Sequence, residues 1–327
     1  MIKQVKYIFL LLFLFAGKIA SCQTCCSGGV PVTGNIGLPP GQTKSLQISI
    51  SHDLNVLKTL KSGTKTLSDK SRTRTTNSFI LELGYAFSNR FSADVFFSYV
   101  KQVRKIDRFG RVNRSVTSGI GDAVLLLKYR VTPISNTKRT LIIGAGPKFP
   151  LGASDLKSNG FEEGADLQPG SGAWDLILWS SYSQKIPIRA SMNLFSTVAF
   201  STKGKNKNYL GSETFQFSKE VQILVGISDR ILVKSQIIDP SLGFRFRKVG
   251  HDQLNTNDLP NTGGQWVSII PSLAVSIHPN LILNISSELP LHSKLEGTQL
   301  TPTYKINTGL LLIINTNNKE NEFKLKL

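Results

Sequence analysis

Three features of the sequence predict an all-β chain: a transmembrane antiparallel β-barrel of about 12 strands with short periplasmic turns and long extracellular loops. Runs of about ten residues alternate apolar and polar side chains, the period at which successive strand residues face opposite sides of a sheet. The connections between these runs are short and long by turns. An apolar leader opens the chain, and nothing after it supplies the roughly 20 consecutive apolar residues of a membrane-spanning helix. A chain that enters lipid without such a helix must close into a barrel, because an open sheet edge leaves backbone groups unpaired there. A soluble β-sandwich would alternate in the same way, but it would not gather six long connections at one end.

The leader is read first. Lys3 and Lys6 precede an apolar run from Tyr7 to Ala16, followed by Gly17, Ala20 and Ser21, the pattern of an export signal over residues 1–22. Ile19-Ala20-Ser21-Cys22 resembles a lipobox, which would make Cys22 a lipidated first residue; ordinary cleavage after Cys22 leaves Gln23 first. All 3 cysteines cluster in Cys22-Gln-Thr-Cys25-Cys26. Beside an export signal this suits a tether or a Cys25–Cys26 disulfide, not zinc, since no His lies near and four ligands are wanted. Residues 23–42 are rich in Gly and Pro and fit neither helix nor strand, so they form a linker or a segment that fills a lumen. The barrel is expected over 43–327.

The strands follow in order. Leu46, Ile48, Ile50, His52 and Leu54 alternate with Ser45, Gln47, Ser49 and Ser51; Phe79, Leu81, Leu83, Tyr85 and Phe87 do so with Ile80, Glu82, Gly84 and Ala86. Phe91, Ala93, Val95, Phe97 and Tyr99 repeat the pattern, as do Ala123, Leu125, Leu127, Tyr129 and Val131 against Asp122, Lys128 and Arg130. Later runs carry it through Ile188, Ala190, Met192, Leu194, Val198 and Phe200, through Phe215, Phe217, Val221, Ile223, Val225 and Ile227, through Val267 to Ile277, through Leu281, Leu283 and Ile285, and through Tyr304, Ile306, Leu310, Leu312 and Ile314. Connections at 88–90, 132–138, 184–187, 228–230 and 279–280 are short, whereas 55–76, 102–117, 150–172, 202–213, 239–263 and 290–303 are expected as long loops. Aromatic residues near strand ends (Tyr85, Phe87, Phe91, Tyr129, Tyr182, Phe200, Phe215, Tyr304) suit an interfacial girdle. The ending Phe323-Lys-Leu325-Lys-Leu327 is either a short closing strand or a periplasmic extension.

Net charge is +18, or +15 once Lys3, Lys6 and Lys18 leave with the signal. An exported protein does not meet nucleic acid, so that partner is excluded. The cations gather in the connections, which are either solvated loops or a basic collar facing membrane lipid and the phosphates of lipopolysaccharide.

Catalytic patterns are sparse, and no enzyme, cofactor or metal site is expected. His52, His251, His278 and His292 are scattered without metal-ligand spacing. Ser171 lacks the strand-to-helix setting of a nucleophile elbow. The working surface is then the polar strand face, which the alternation turns inward: Glu82, Asp94, Asp122, Lys128, Arg130, Lys148 and Asp175, with Asp122 expected to pair with Lys128, Arg130 or Lys148.

Gly119-Ile-Gly121-Asp122, the strand ending Lys128-Tyr129-Arg130, Gly144-Ala-Gly146-Pro-Lys148-Phe-Pro150-Leu-Gly152 and Gly170-Ser-Gly172 with Asp175 resemble the outer-membrane family described as similar to the MetA pathway of phenol degradation. That family is distantly related to channels for fatty acids and aromatic hydrocarbons. The resemblance implies a bacterial outer-membrane channel passing small hydrophobic or aromatic solutes by passive diffusion. The alternatives are a structural or adhesive barrel with a sealed lumen and, less well supported, a rim-active lipid-modifying enzyme.

Overall fold

A computed structural model describes residues 43–315 apart from Thr137 and Asn159. The export signal, Cys22, Cys25 and Cys26, the 23–42 segment and the 316–327 tail therefore lie outside the described residues. Twelve long strands form the barrel: β1 (Ser45–Ser62), β2 (Arg72–Ala86), β3 (Phe91–Arg108), β4 (Arg111–Ile120, continued as Ala123–Arg130), β5 (Arg139–Phe149), β6 (Asp175–Lys185), β7 (Asn193–Lys203), β8 (Glu220–Ser228), β9 (Gln236–Val249), β10 (Gly264–His278), β11 (Leu281–Leu295) and β12 (Thr298–Asn315). Each pairs antiparallel with the next, and β1 pairs with β12 from Ser45↔Asn315 to Ser62↔Thr298, which closes the sheet. Closure leaves no sheet edge at membrane depth, the condition lipid imposes on a spanning sheet.

The outer surface explains why these strands are stable only in lipid. Ile50, Phe79, Phe97, Leu127, Ile143, Leu178, Val198, Val225, Phe244, Leu273, Leu283 and Leu310, one from every strand, are exposed. Their inward neighbours are less exposed and of mixed chemistry, polar at Ser98 beside Phe97 and at Lys128 beside Leu127, apolar at Ile177 and Trp179 on either side of Leu178. An apolar belt running round a whole molecule is the surface a bilayer covers.

Both described ends, Ser45 and Asn315, lie at the rim of the short turns, since they pair with each other and Leu46 pairs with Tyr85. Two loops expected to be long are instead tight hairpins. The 102–117 segment continues β3 and β4 to a two-residue turn at Phe109-Gly110, both at positive φ (53° and 81°). That is the primed turn whose twist matches the strands it joins. The 290–303 segment likewise runs on as strand to Glu296-Gly297. Lys105 and Arg114 interrupt the apolar alternation of the 102–117 hairpin above the lipid, while Leu289 and Leu291 stay exposed at the foot of the 290–303 segment. The 55–76 and 239–263 loops also shrink, to 63–71 and 250–263.

A third correction concerns Phe215 and Phe217, expected on an outer strand face and girdle. They lie in the β7–β8 loop and are buried against Tyr209, Ala165, Leu254 and Leu259. Short strands at Asn206–Tyr209, Glu213–Gln216, Gln253–Leu254 and Asn257–Asp258 form a small sheet linking the β7–β8 and β9–β10 loops, and Phe215 and Phe217 belong to the apolar core beneath it. Ile188, Ala190 and Met192 belong to the β6–β7 turn, not to the strand.

Candidate functional site

Neighbouring inward positions on adjacent strands carry alternating charge, and they meet. Lys148 on β5 and Lys203 on β7 both stand directly opposite Asp175 on β6, and each Nζ lies 3.2 Å from Asp175 Oδ2. Lys148 Nζ also lies 2.5 Å from Asp122 Oδ2 on β4. Farther round, Arg247 Nε on β9 donates to Glu220 on β8 at 2.6 Å, Arg245 on β9 meets Glu288 on β11 at 2.6 Å, and Lys305 on β12 meets Asp53 on β1 at 3.1 Å. A lower pair, Asp94 with Lys128, closes at 2.5 Å between β3 and β4. A buried charge is tolerable only when it is compensated, and each of these charges lies within 3.2 Å of an opposite one.

Between the two charged levels the inner wall is apolar. Phe96, Val124, Leu126, Ile142, Ile177, Trp179 and Ala199 pack together on β3 to β7. The inner face expected to be charged along β4 is thus mixed, with Val124 and Leu126 between Asp122 and Lys128. Gly146 permits the close approach of β5 to β4 here: a Cβ on it would fall inside the contact distance of the Leu125 carbonyl.

The β5–β6 loop, 150–174, folds into the mouth. Asp122 Oδ1 accepts from the Gly152 N–H at 3.1 Å, and its Oδ2 accepts from the Ser171 N–H and Oγ at 3.0 and 2.7 Å. Lys148 donates to Ser171 Oγ and to the Ala173 carbonyl. From across the mouth, Arg74 on β2 bridges to Asp166 at 2.9 Å and Arg104 on β3 to Glu163 at 2.8 Å, while Gln102 donates to the Gln168 carbonyl and Thr117 to that of Leu167. Arg74 and Gln168 are each only 1% exposed, so this loop is seated among inward side chains and not lying over them. Ser171 is buried within the same cluster, its hydroxyl bonded to Asp122 and Lys148.

The wall is not uniform. The β11–β12 ladder runs only from Leu281↔Leu312 to Glu288↔Lys305. Above that pair the strands part: 289–295 continues along β10, and 298–304 along β1. Pro290 and Pro302, which have no N–H to donate, sit in the parted segments beside register shifts on both sides, the places where a sheet admits proline. Leu289 and Leu291 are exposed at this seam.

Of the residues selected from sequence, Asp122, Lys148 and Asp175 come together at the upper level, and Asp94 and Lys128 at the lower. Glu82 is buried on β2, opposite Phe96 and Ser49. Arg130, at the lower end of β4, is half-buried, below Lys128. Sequence reasoning missed Asp53, Arg74, Asp166, Lys203, Glu220, Arg245, Arg247, Glu288 and Lys305. Lys203 was assigned to a basic loop, and Arg245 and Arg247 fell inside an expected loop that is strand. Alternation through 242–247, with Leu242, Phe244 and Phe246 against Gly243, Arg245 and Arg247, was the signal that would have found the two arginines.

No family model and no curated protein matches the chain. Among solved structures, the COG4313 outer membrane channel from Pseudomonas putida F1 superposes with a TM-score of 0.65 at 14% identity, covering 85% of this chain and 97% of that one. The β domain of the Bordetella autotransporter BrkA reaches 0.47 at 8% identity over 83% of this chain and all of that one, and a Pseudomonas aeruginosa FadL homologue 0.36 at 8% over 83% and 90%. The last two scores carry no argument. Closure, strand number, the apolar outer belt and the first superposition agree that this chain has the fold of a twelve-stranded outer-membrane β-barrel.

Proposed function

We propose that this protein is an outer-membrane channel through which small hydrophobic compounds diffuse passively, entering at the long-loop mouth and leaving sideways through the parted β11–β12 wall. The observation that carries this reading is the parting itself. The parting begins above Glu288↔Lys305, near the upper edge of the lipid belt, and backbone that leaves a ladder at that depth is tolerated where it lines a cavity or a passage. The exposed Leu289 and Leu291 make the seam apolar, and the inner wall of Val124, Leu126 and Trp179 offers an apolar surface within the lumen. Mixed charges held in pairs leave no single-sign field that would select an ion.

A sealed structural or adhesive barrel is the second reading, and the seating of 150–174 in the mouth favours it. Proteoliposomes holding the full chain, given a naphthalene-class fluorophore whose emission rises in lipid, separate the two. Faster entry than into empty liposomes supports the channel; equal rates support the sealed barrel.

A further inference from the structure

The outer faces of β1 to β4 carry a basic surface above the lipid belt that the channel reading does not use. Gln102 is buried and Arg104 reaches inward to Glu163, so Lys101, Val103 and Lys105 point outward, and both lysines are exposed. Thr73, Lys105 and Arg114 stand directly opposite one another on β2, β3 and β4. Lys58 is exposed one place beyond the Leu57↔Arg74 pair and continues that row on β1. Opposed residues hold their Cβ atoms about 5 Å apart, where like charges destabilise a sheet. The acid above them on this face, Asp107, accepts the Gly110 N–H at 2.9 Å in closing the hairpin.

The height of this surface indicates what covers it. Phe91 to Tyr99 is the apolar run of β3, and at about 3.4 Å per residue and a tilt of about 40° it climbs roughly 20 Å. An apolar band of about 25 Å measured from Phe91 then ends near Lys101, and Lys105 with Arg114 lies about 10 Å higher. That is the level of lipid headgroups.

We infer that this face binds an outer-leaflet glycolipid through its phosphate groups, as lipopolysaccharide would present them, with Lys105 and Arg114 clasping one phosphate and Lys58 and Lys101 flanking it. A phosphate between the opposed Lys105 and Arg114 receives two charge-assisted contacts. Its acyl chains lie along Phe79, Phe97 and Tyr99 below.

The test uses the full chain in detergent, with native mass spectrometry counting retained lipid. The probes are bisphosphorylated lipid A, the same lipid with both phosphates removed, and inorganic phosphate. Bisphosphorylated lipid A is expected to remain bound, with retention falling at least about tenfold in a K101Q/K105Q/R114Q variant and staying unchanged in a K234Q control at the opposite rim. Dephosphorylated lipid is expected to dissociate, and phosphate alone to leave the bound lipid in place. Equal retention by the triple variant, or equal retention of dephosphorylated lipid, overturns the inference, as does displacement by millimolar inorganic phosphate, which marks a plain anion site. Heat-modified gel migration confirms that each variant is folded.

Discussion

Lys148 Nζ lies 2.5 Å from Asp122 Oδ2, with both side chains nearly sealed from solvent. The contact does two things at once, because Asp122 also receives the N–H groups of Gly152 and Ser171 and so ties the 150–174 loop to the wall of β4 and β5. Replacing Lys148 by Met leaves Asp122 unneutralised and Asp175 with Lys203 alone. Removing one partner of a buried pair costs about 3–5 kcal/mol. The expected outcome is a lower temperature for the folded-to-unfolded shift on heat-modified gels, with Lys185→Met, outside the row, unchanged.

Arg74 holds the far side of the same loop through Asp166. Arg74→Ala leaves Asp166 in the mouth without its bridge, and a loss of about 3 kcal/mol raises the population with the loop displaced roughly a hundredfold. Single-channel recordings are expected to show more frequent, larger openings than in the native protein, while the folding temperature moves less than for Lys148→Met because Arg74 acts on a loop.

Gly146→Val tests the β4–β5 contact. A side chain there meets the backbone at Leu125, which cannot rotate away as a side chain would. The expected result is failure to form the heat-modifiable barrel, whereas Gly160→Val, where an added Cβ meets nothing but the backbone is at φ +82°, costs only local strain.

Asp252, in the loop beyond β9, gives a pH dependence. Burial pushes its carboxyl up to about 6, against the opposing pull of the Ser218 N–H, which Oδ1 accepts at 2.9 Å. Asp166 raises it further, while Lys203 and Arg247 lower it. The folded loop therefore keeps the proton up to about pH 6, and the unfolded chain releases it near 3.8. Stability from this group is fully present below the lower value and is lost as pH rises through the upper one. Thermal unfolding between pH 4 and 8 is expected to show this loss, and Asp252→Asn, which still accepts from Ser218, is expected to flatten it.

The membrane-crossing part of the barrel was legible because lipid outside and a partly polar lining inside impose different chemistry on alternate residues, as at Leu127 and Lys128 or Phe97 and Ser98. Where β3 and β4 leave the lipid, Lys101, Lys105 and Arg114 replace the outward apolar residues, and strand became indistinguishable from loop. Phe215 and Phe217 misled in the opposite direction, since a small core beneath loops uses the same residues as a lipid face. The short link after Arg130 made β4 and β5 neighbours, and that adjacency puts Asp122 beside Lys148. Nothing local connects Asp166 with Arg74 or Lys305 with Asp53; those pairs exist only because the barrel closes and one loop turns inward. The parted seam was equally silent, as Pro290 and Pro302 in sequence mark only interrupted strands.

Sideways exit through that seam is the central claim, and restoring the ladder tests it most directly. Pro290→Val with Pro302→Val returns two N–H donors to β11 and β12 while leaving the ion pairs of the lumen untouched. In proteoliposomes the fluorophore is expected to enter the bilayer at least about tenfold more slowly than with the native chain, the factor that about 1.4 kcal/mol of added barrier produces, while ion conductance stays the same. Entry at the native rate through a variant whose β11–β12 amides have become protected from hydrogen exchange would contradict the account.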